Sequence, residues 1–271
     1  MPYLAFMIPK GVKVSGIVYG IYLYRWQELS LSRKCAEVAW HFLLGKRNCF
    51  QDIFILNDAE SATHFNRMFH SNHFKYLPDP FLPLPESQED YREKFGIPPE
   101  RKVFYHFGSF GKKKGTLEIL KSTLKIPNSE QKNYCFVFAG CVQPSIKEEF
   151  YNLIEQVRQT DVQCLVFDEF CTYEFLAGWC QACDAVLVPY LLAYNSSGCI
   201  GYAAQCNKPV IGPVYGLLGK LIRQYGLGLQ LEKITSGNLC KAYIDVQTVM
   251  INSHHYLVDN TIEKFCKTIL N

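Results

Sequence analysis

From Arg101 onward, short continuous apolar runs alternate strictly with longer amphipathic segments, and this alternation constrains the fold more than any other feature of the chain. KVFYHFG (102–108), YCFVFAG (134–140), VQCLVFD (162–168), AVLVPY (185–190) and KPVIGP (208–213) read as strands. Between and after them, GTLEILKSTLK (115–125), SIKEEFYNLIEQVRQ (145–159), TYEFLAGWCQACD (172–184), SSGCIGYAAQCN (196–207) and YGLLGKLIRQYG (215–226) read as helices. Strands without polar alternation are buried on both faces, so helices must cover both sides of a parallel sheet. The pattern predicts a complete doubly wound α/β domain.

Upstream, VSGIVYGIYLY (14–24) and DIFILN (52–57) read as strands, with SLSRKCAEVAWHFLLGK (30–46) and AESATHFNRMFH (59–70) as helices. This block is too short to mirror the second. The segment KYLPDPFLPLPESQED (75–90) is proline-rich, and each proline disfavours helix for the residue before it, which places a hinge near Leu77–Pro85.

A chain of 271 residues has room for two domains, and 48% hydrophobic with 20% charged residues is a globular composition. No segment approaches the roughly 18 uninterrupted apolar residues of a membrane span. The start, MPYLAFMIPKGVKVSG, carries its lysines after a short apolar run and lacks a small-residue cleavage site, so a cytoplasmic protein is expected. The twelve cysteines lie mostly inside apolar runs and read as reduced core residues. A net charge of +3 gives no argument for nucleic acid.

Two glycine-bearing loops stand where a strand hands over to a helix, the position at which open α/β sheets bind ligands. In SSGCIGYAA, Ser196, Ser197 and Gly198 offer hydroxyls and backbone N–H groups to an anion at a helix start; a plain serine N-cap is the competing reading. GSFGKKKG (108–115) does not fit the nucleotide P-loop, because His106 stands at its first glycine and Lys113 at its Ser/Thr. WCQACD (179–184) looks like a redox motif, yet its cysteines close a helical segment instead of opening one, where the dipole raises the thiol pKa. No second Cys-x-x-Cys supports a zinc site, and no Asp-x-Asp pair occurs.

LPDP, GSFGKKKG, FAG, DAVLVPY, SSG, NKPVIGP and YGLGLQL follow one another in this order. The series, from about Tyr76 to the carboxyl terminus, resembles the nucleotide-sugar glycosyltransferases of the GT-B fold, particularly retaining family 4 and related polysaccharide-building transferases. The resemblance implies two Rossmann-like α/β domains with parallel sheets, the N-terminal one incomplete. It divides the chain into an acceptor-side block (1–83), a donor-nucleotide domain (84–245) and C-terminal helices that return toward the N-terminal domain (246–271).

It also implies transfer of a sugar, with retention, from a nucleotide-diphosphate sugar to a hydroxyl of a glycan or lipid-linked acceptor, in glycan or surface polysaccharide synthesis. No metal and no cofactor beyond the donor are expected. Matching positions assign the donor diphosphate to Gly108, Ser109, Lys114, Ser196, Ser197 and Gly198, with Ser109 in place of the family's usual arginine. The family's paired glutamates fall at Tyr194 and Tyr202. Glu169, Phe170 and Tyr202 are the implied nucleoside contacts, and no catalytic residue is assigned. Association with the inner face of the membrane and a partner chain completing the N-terminal domain are further expectations. The alternative is a catalytically impaired GT-B fragment or scaffold that binds nucleotide sugar or a partner without transfer.

Overall fold

The computed structural model describes residues 7–85 and 89–270. MPYLAF, on which the reading of the amino terminus rests, Glu86–Gln88 of the linker, and Asn271 lie outside the described residues. The chain divides into two compact units: the described residues of Met1–Pro80, Tyr194–Ser196 and Asp259–Asn271, and those of Phe81–Ala193 and Ser197–Val258.

In the first unit, β1 (Val14–Val18), α1 (Leu31–Lys46), β2 (Phe50–Leu56), α2 (Ala59–Phe69) and β3 (Phe74–Leu77) build a parallel three-stranded sheet in the order β1-β2-β3. Ser30 caps α1 by accepting the Arg33 N–H, and Asp58 caps α2 by accepting that of Ser61. The sequence predicts one strand from Val14 to Tyr24; the structure ends it at Val18 and coils Tyr22–Glu28 into 3-10 turns. Gly20 makes the break, because its φ of +75° takes the chain out of the extended path. Ile21 and Tyr22 are then buried beside Phe65, Phe69 and Phe74. β3, whose Lys75–Leu77 the sequence reading gives to the linker, pairs in register with Ile53–Leu56.

The second unit runs α3 (Tyr91–Lys94), β4 (Lys102–Phe107), α4 (Thr116–Thr123), β5 (Tyr134–Ala139), α5 (Lys147–Val157), β6 (Gln163–Phe167), α6 (Tyr173–Ala182), β7 (Ala185–Leu187), α7 (Gly198–Gln205), β8 (Val210–Pro213), α8 (Gly216–Tyr225), β9 (Gly228–Leu231) and α9 (Ser236–Asp245). All neighbouring strands are parallel, in the order β6-β5-β4-β7-β8-β9. Counted within the unit this is 3-2-1-4-5-6, the doubly wound arrangement. β9 is a strand that the sequence reading leaves unassigned.

Along β4 and β5 successive side chains go to opposite faces. Phe104, Phe136 and Phe138 join a core with residues of α4, α5 and α9, while Tyr105 faces Trp179 of α6. α10 (His254–Asp259) stays with the second unit, its buried Tyr256 edge-on to Tyr225 at 5.2 Å. α11 (Ile262–Leu270) packs on β3 and falls, with the chain from Asp259 on, within the first unit. Among the described residues no helix is long and apolar enough to cross a membrane.

The FAG turn is where sequence and packing are tied most tightly. Gly140 has φ +142°, and a Cβ there would stand 1.8 Å from the Gly108 carbonyl oxygen. Gly140→Ala is expected to lower stability by about 3 kcal/mol or more, through backbone strain and the clash together. Gly237→Ala in α9, where a Cβ meets nothing within 4 Å, is expected to stay within about 1 kcal/mol on the stabilising side. Urea unfolding of both variants checks the contrast.

Candidate functional site

In the sheet order of the second unit the winding reverses between β4 and β7, which leaves a crevice beyond their carboxyl ends. The loop after β4 is GSFGKKKG, and the loop after β7 runs through Pro189 and Tyr190 toward Ser197. They approach closely: a Cβ on Gly115, at φ +70°, would lie 2.1 Å from the Pro189 carbonyl oxygen. The Lys113 carbonyl accepts the N–H groups of Leu191 at 2.9 Å and Leu192 at 3.3 Å.

Tyr190 joins the two loops. The Lys114 ammonium stands 3.7 Å from the centroid of its ring, a cation–π contact. Its hydroxyl is 2.9 Å from Ser197 Oγ and 3.5 Å from Cys199 Sγ. Burial lowers the pKa of Lys114, with Cys199 opposing, and the ammonium has no carboxylate partner among the described residues. Lys112 and Lys113 are exposed.

Beneath this pair His106 is buried, its Nδ1 2.9 Å from the Leu187 carbonyl and its Nε2 3.0 Å from Thr116 Oγ1. A carbonyl only accepts, so Nδ1 carries the proton and Nε2 accepts from the Thr116 hydroxyl. Burial pushes the imidazole down to about 4, against the Leu187 hydrogen bond and helped by Lys114.

Ser197 is the N-cap residue of α7, yet its side chain makes no capping bond, because the hydroxyl is committed to Tyr190. The Ile200 N–H donates to the Ser197 carbonyl at 3.1 Å, while the Gly198 and Cys199 N–H groups before it receive no side-chain cap and carry the positive end of the helix dipole. A Cβ on Gly198 would meet nothing within 4 Å, so the space beside this turn is open. Ser196 lies apart from its neighbour. It belongs to the first unit, where its Oγ accepts from Asn57 Nδ2 at 3.2 Å and hydrogen-bonds the Asp79 carboxyl, whose pKa burial raises.

A second cavity, of about 210 Å³, opens at the ends of β4, β5 and β6 and is lined by Gly108, Ser109, Gly140, Glu169 and Phe170 among others. Ser109 Oγ accepts from Gln143 Nε2 at 3.1 Å, and Phe170 is 91% exposed. Tyr202 does not line it; its ring packs on Phe107 at 5.2 Å and Tyr173 at 5.5 Å. The neighbouring Asp168 is structural: burial raises its pKa, but the Val142 N–H, the Tyr151 hydroxyl and Lys147 outweigh this and hold it low.

The structure thus gathers Lys114, Ser197 and Gly198 around Tyr190, and Gly108, Ser109, Glu169 and Phe170 around the second cavity. Tyr202 does not line that cavity, and Ser196 belongs to the first unit. Tyr190 and His106 escape a sequence reading because each sits in an apolar run, where an aromatic or lone histidine reads as core. The Cys180 and Cys183 sulfurs are buried, and Cys180 is raised well above its ordinary value by hydrogen bonding with Cys183 and Cys206 and by burial. That is opposite to a reactive thiol.

Two Rossmann-like parallel units, one of them doubly wound with its loops at the switch point, give this chain the GT-B fold. It is similar to WaaG, a glycosyltransferase involved in lipopolysaccharide biosynthesis, at 17% identity and a TM-score of 0.69, over 98% of this chain and 78% of that one. It is similar also to Anabaena HepE, solved with UDP, at 16% identity and a TM-score of 0.75, over 99% and 73%. Sucrose-phosphate synthase from Thermosynechococcus elongatus is a third, at 14% identity and a TM-score of 0.71, over 99% and 69%. No protein-family model matches the chain, and no curated protein matches it in sequence.

The neutral His106 makes stability depend on acidity. Unfolding restores its ordinary value of 6.5, so between pH 6.5 and about 4 the unfolded chain binds the extra proton. The contribution is complete above pH 6.5 and is lost as the pH falls toward 4, by on the order of 3 kcal/mol. His106→Gln is expected to flatten the pH dependence of the urea midpoint across this window. An unchanged slope would show that the imidazole is not held neutral.

Proposed function

We propose that this chain is a glycosyltransferase that takes a sugar from a nucleotide-diphosphate donor. The observation that carries the reading is the half-buried Lys114 ammonium, without a carboxylate partner among the described residues, held on the same Tyr190 that fixes Ser197 at the uncapped start of α7. A fixed cation and a helix dipole directed at one crevice favour an anion with several oxygens. The diphosphate would lie between Lys114 and the first turn of α7, and the nucleoside would enter the cavity with Glu169 and Phe170. HepE is solved with UDP and with UDP-glucose, which supports a nucleotide sugar as ligand.

In this reading Lys114 and the α7 N–H groups stabilise the charge that develops on the departing nucleotide diphosphate. Because serine replaces arginine at position 109, Lys114 is the principal cation of the clamp. Transfer proceeds with retention and without a required metal, to a glycan or lipid-linked hydroxyl. The naming of WaaG in lipopolysaccharide biosynthesis supports a role in surface polysaccharide synthesis, at the cytoplasmic face of a membrane.

Titration calorimetry with UDP and GDP tests the donor site. A binding nucleotide at one hundred times its dissociation constant is expected to stabilise the fold by about 2.7 kcal/mol. Lys114→Ala is expected to weaken binding about tenfold or more, the loss of one charge-assisted contact, and Lys112→Ala less than about twofold. Equal losses would make the lysines a diffuse patch, and no binding of any nucleoside diphosphate would overturn the reading. The anomeric configuration of the product, followed by NMR, tests retention; nucleotide binding without turnover would favour the non-catalytic alternative.

A further inference from the structure

Three of the twelve cysteines meet inside the second unit. Cys180 lies in the last turn of α6, Cys183 follows as the C-cap of that helix, and Cys206 is the C-cap of α7, which packs on α6. Cys180 and Cys183 are fully buried, whereas Cys206 is partly exposed. Cys180 hydrogen-bonds with both of the others, and Cys183 Sγ donates to the Cys180 carbonyl oxygen at 3.3 Å.

The contact between Cys180 and Cys206 is polarised. Hydrogen bonding from Cys180 lowers the pKa of the Cys206 thiol, against its burial and helped by the Lys208 ammonium. Hydrogen bonds with Cys183 and Cys206, together with burial, raise Cys180 in the opposite direction. Cys180 is therefore the S–H donor and Cys206 the accepting sulfur. A redox-sensing pair has this division: one sulfur of thiolate character that an oxidant can reach, and beside it a second thiol that resolves the product. Cys135 is the contrast, because in the interior of β5 burial pushes its thiol up to about 12 despite Arg101 and Arg92.

We propose that Cys206 and Cys180 form a reversible disulfide on exposure to hydrogen peroxide, a modification site that ties α6 to the carboxyl end of α7. The Cys206 thiolate attacks one peroxide oxygen and the O–O bond breaks; sulfur is oxidised to a sulfenic acid, and the second oxygen leaves as hydroxide, which takes a proton to become water. The Cys180 sulfur then attacks the Cys206 sulfur. An S–S bond replaces the S–O bond, and the Cys180 proton leaves with the hydroxyl as a second water. Two thiols and one peroxide thus give one disulfide and two waters. The sulfurs already share a hydrogen bond, so reaching an S–S length of about 2 Å takes only a short closing movement. The chemistry is independent of any nucleotide in the crevice.

Mass spectrometry tests the pairing: the full chain is treated with hydrogen peroxide in slight excess, its remaining thiols are alkylated in urea, and it is digested without reduction. The peptides of Cys180 and Cys206 are expected as one cross-linked species, two hydrogens lighter than the pair, while Cys135 is recovered alkylated. Dithiothreitol is expected to return both thiols. Cys183→Ser is expected to keep the link, and Cys206→Ser to slow oxidation of Cys180 by about tenfold or more. The map of the unsubstituted chain decides the pairing by itself, so the outcome does not depend on either variant folding. A Cys180–Cys183 link, a Cys206 product that dithiothreitol does not reverse, a Cys206 link only to another molecule, or an unoxidised Cys206 would each overturn the proposal.

Discussion

The neutral imidazole of His106 holds the switch point together. It projects from β4, donates to the last carbonyl of β7 and accepts from the first hydroxyl of α4, so one buried ring fixes two strands and the helix between them. A charged ring there would meet both the cost of burial and the nearby Lys114 ammonium. By staying neutral it places no second buried charge beside the half-buried Lys114 ammonium. The arrangement is electrostatic before it is geometric: the loop lysine remains a usable cation because the histidine below does not compete with it.

Glycines then let the backbone segments approach. Gly140 and Gly115 each stand against a carbonyl oxygen where any side chain would collide, and both have positive φ. These two contacts bring the loop after β4 against the turns after β5 and β7. Tyr190 completes the junction with its ring face toward one loop and its hydroxyl toward the other. Ser197 gives up helix capping for that hydroxyl bond, which leaves the start of α7 open to an anion.

Most of this fold was legible in the sequence because its strands are continuous apolar runs with helices of clear periodicity between them. Where the signal failed, the runs were short or glycine intervened. β3 and β9 have four residues each, too few to show a period, and Gly20 ended β1 within a stretch whose composition was uniformly strand-like. At the site, glycine and lysine positions carried their own signal, since only special backbone or charge explains them. Tyr190 and His106 did not, because their roles depend on partners more than eighty residues away or on a ring face that composition cannot show. The two serines of SSG were indistinguishable in sequence, and only the hydrogen bonds of Ser196 to Asn57 and Ser197 to Tyr190 separate them.

Neither unit is an uninterrupted length of polypeptide. The first takes its strands from the amino-terminal eighty residues, but it also includes Tyr194–Ser196 and α11 from the far end of the chain. Severing the peptide in the proline-rich linker therefore would not release it: α11, covalently part of the other fragment, still packs on β3, and Ser196 still holds Asn57. Conversely, residues 7–80 made alone would lack both. The chain crosses between the units more than once, so neither unit corresponds to one side of the proline-rich linker.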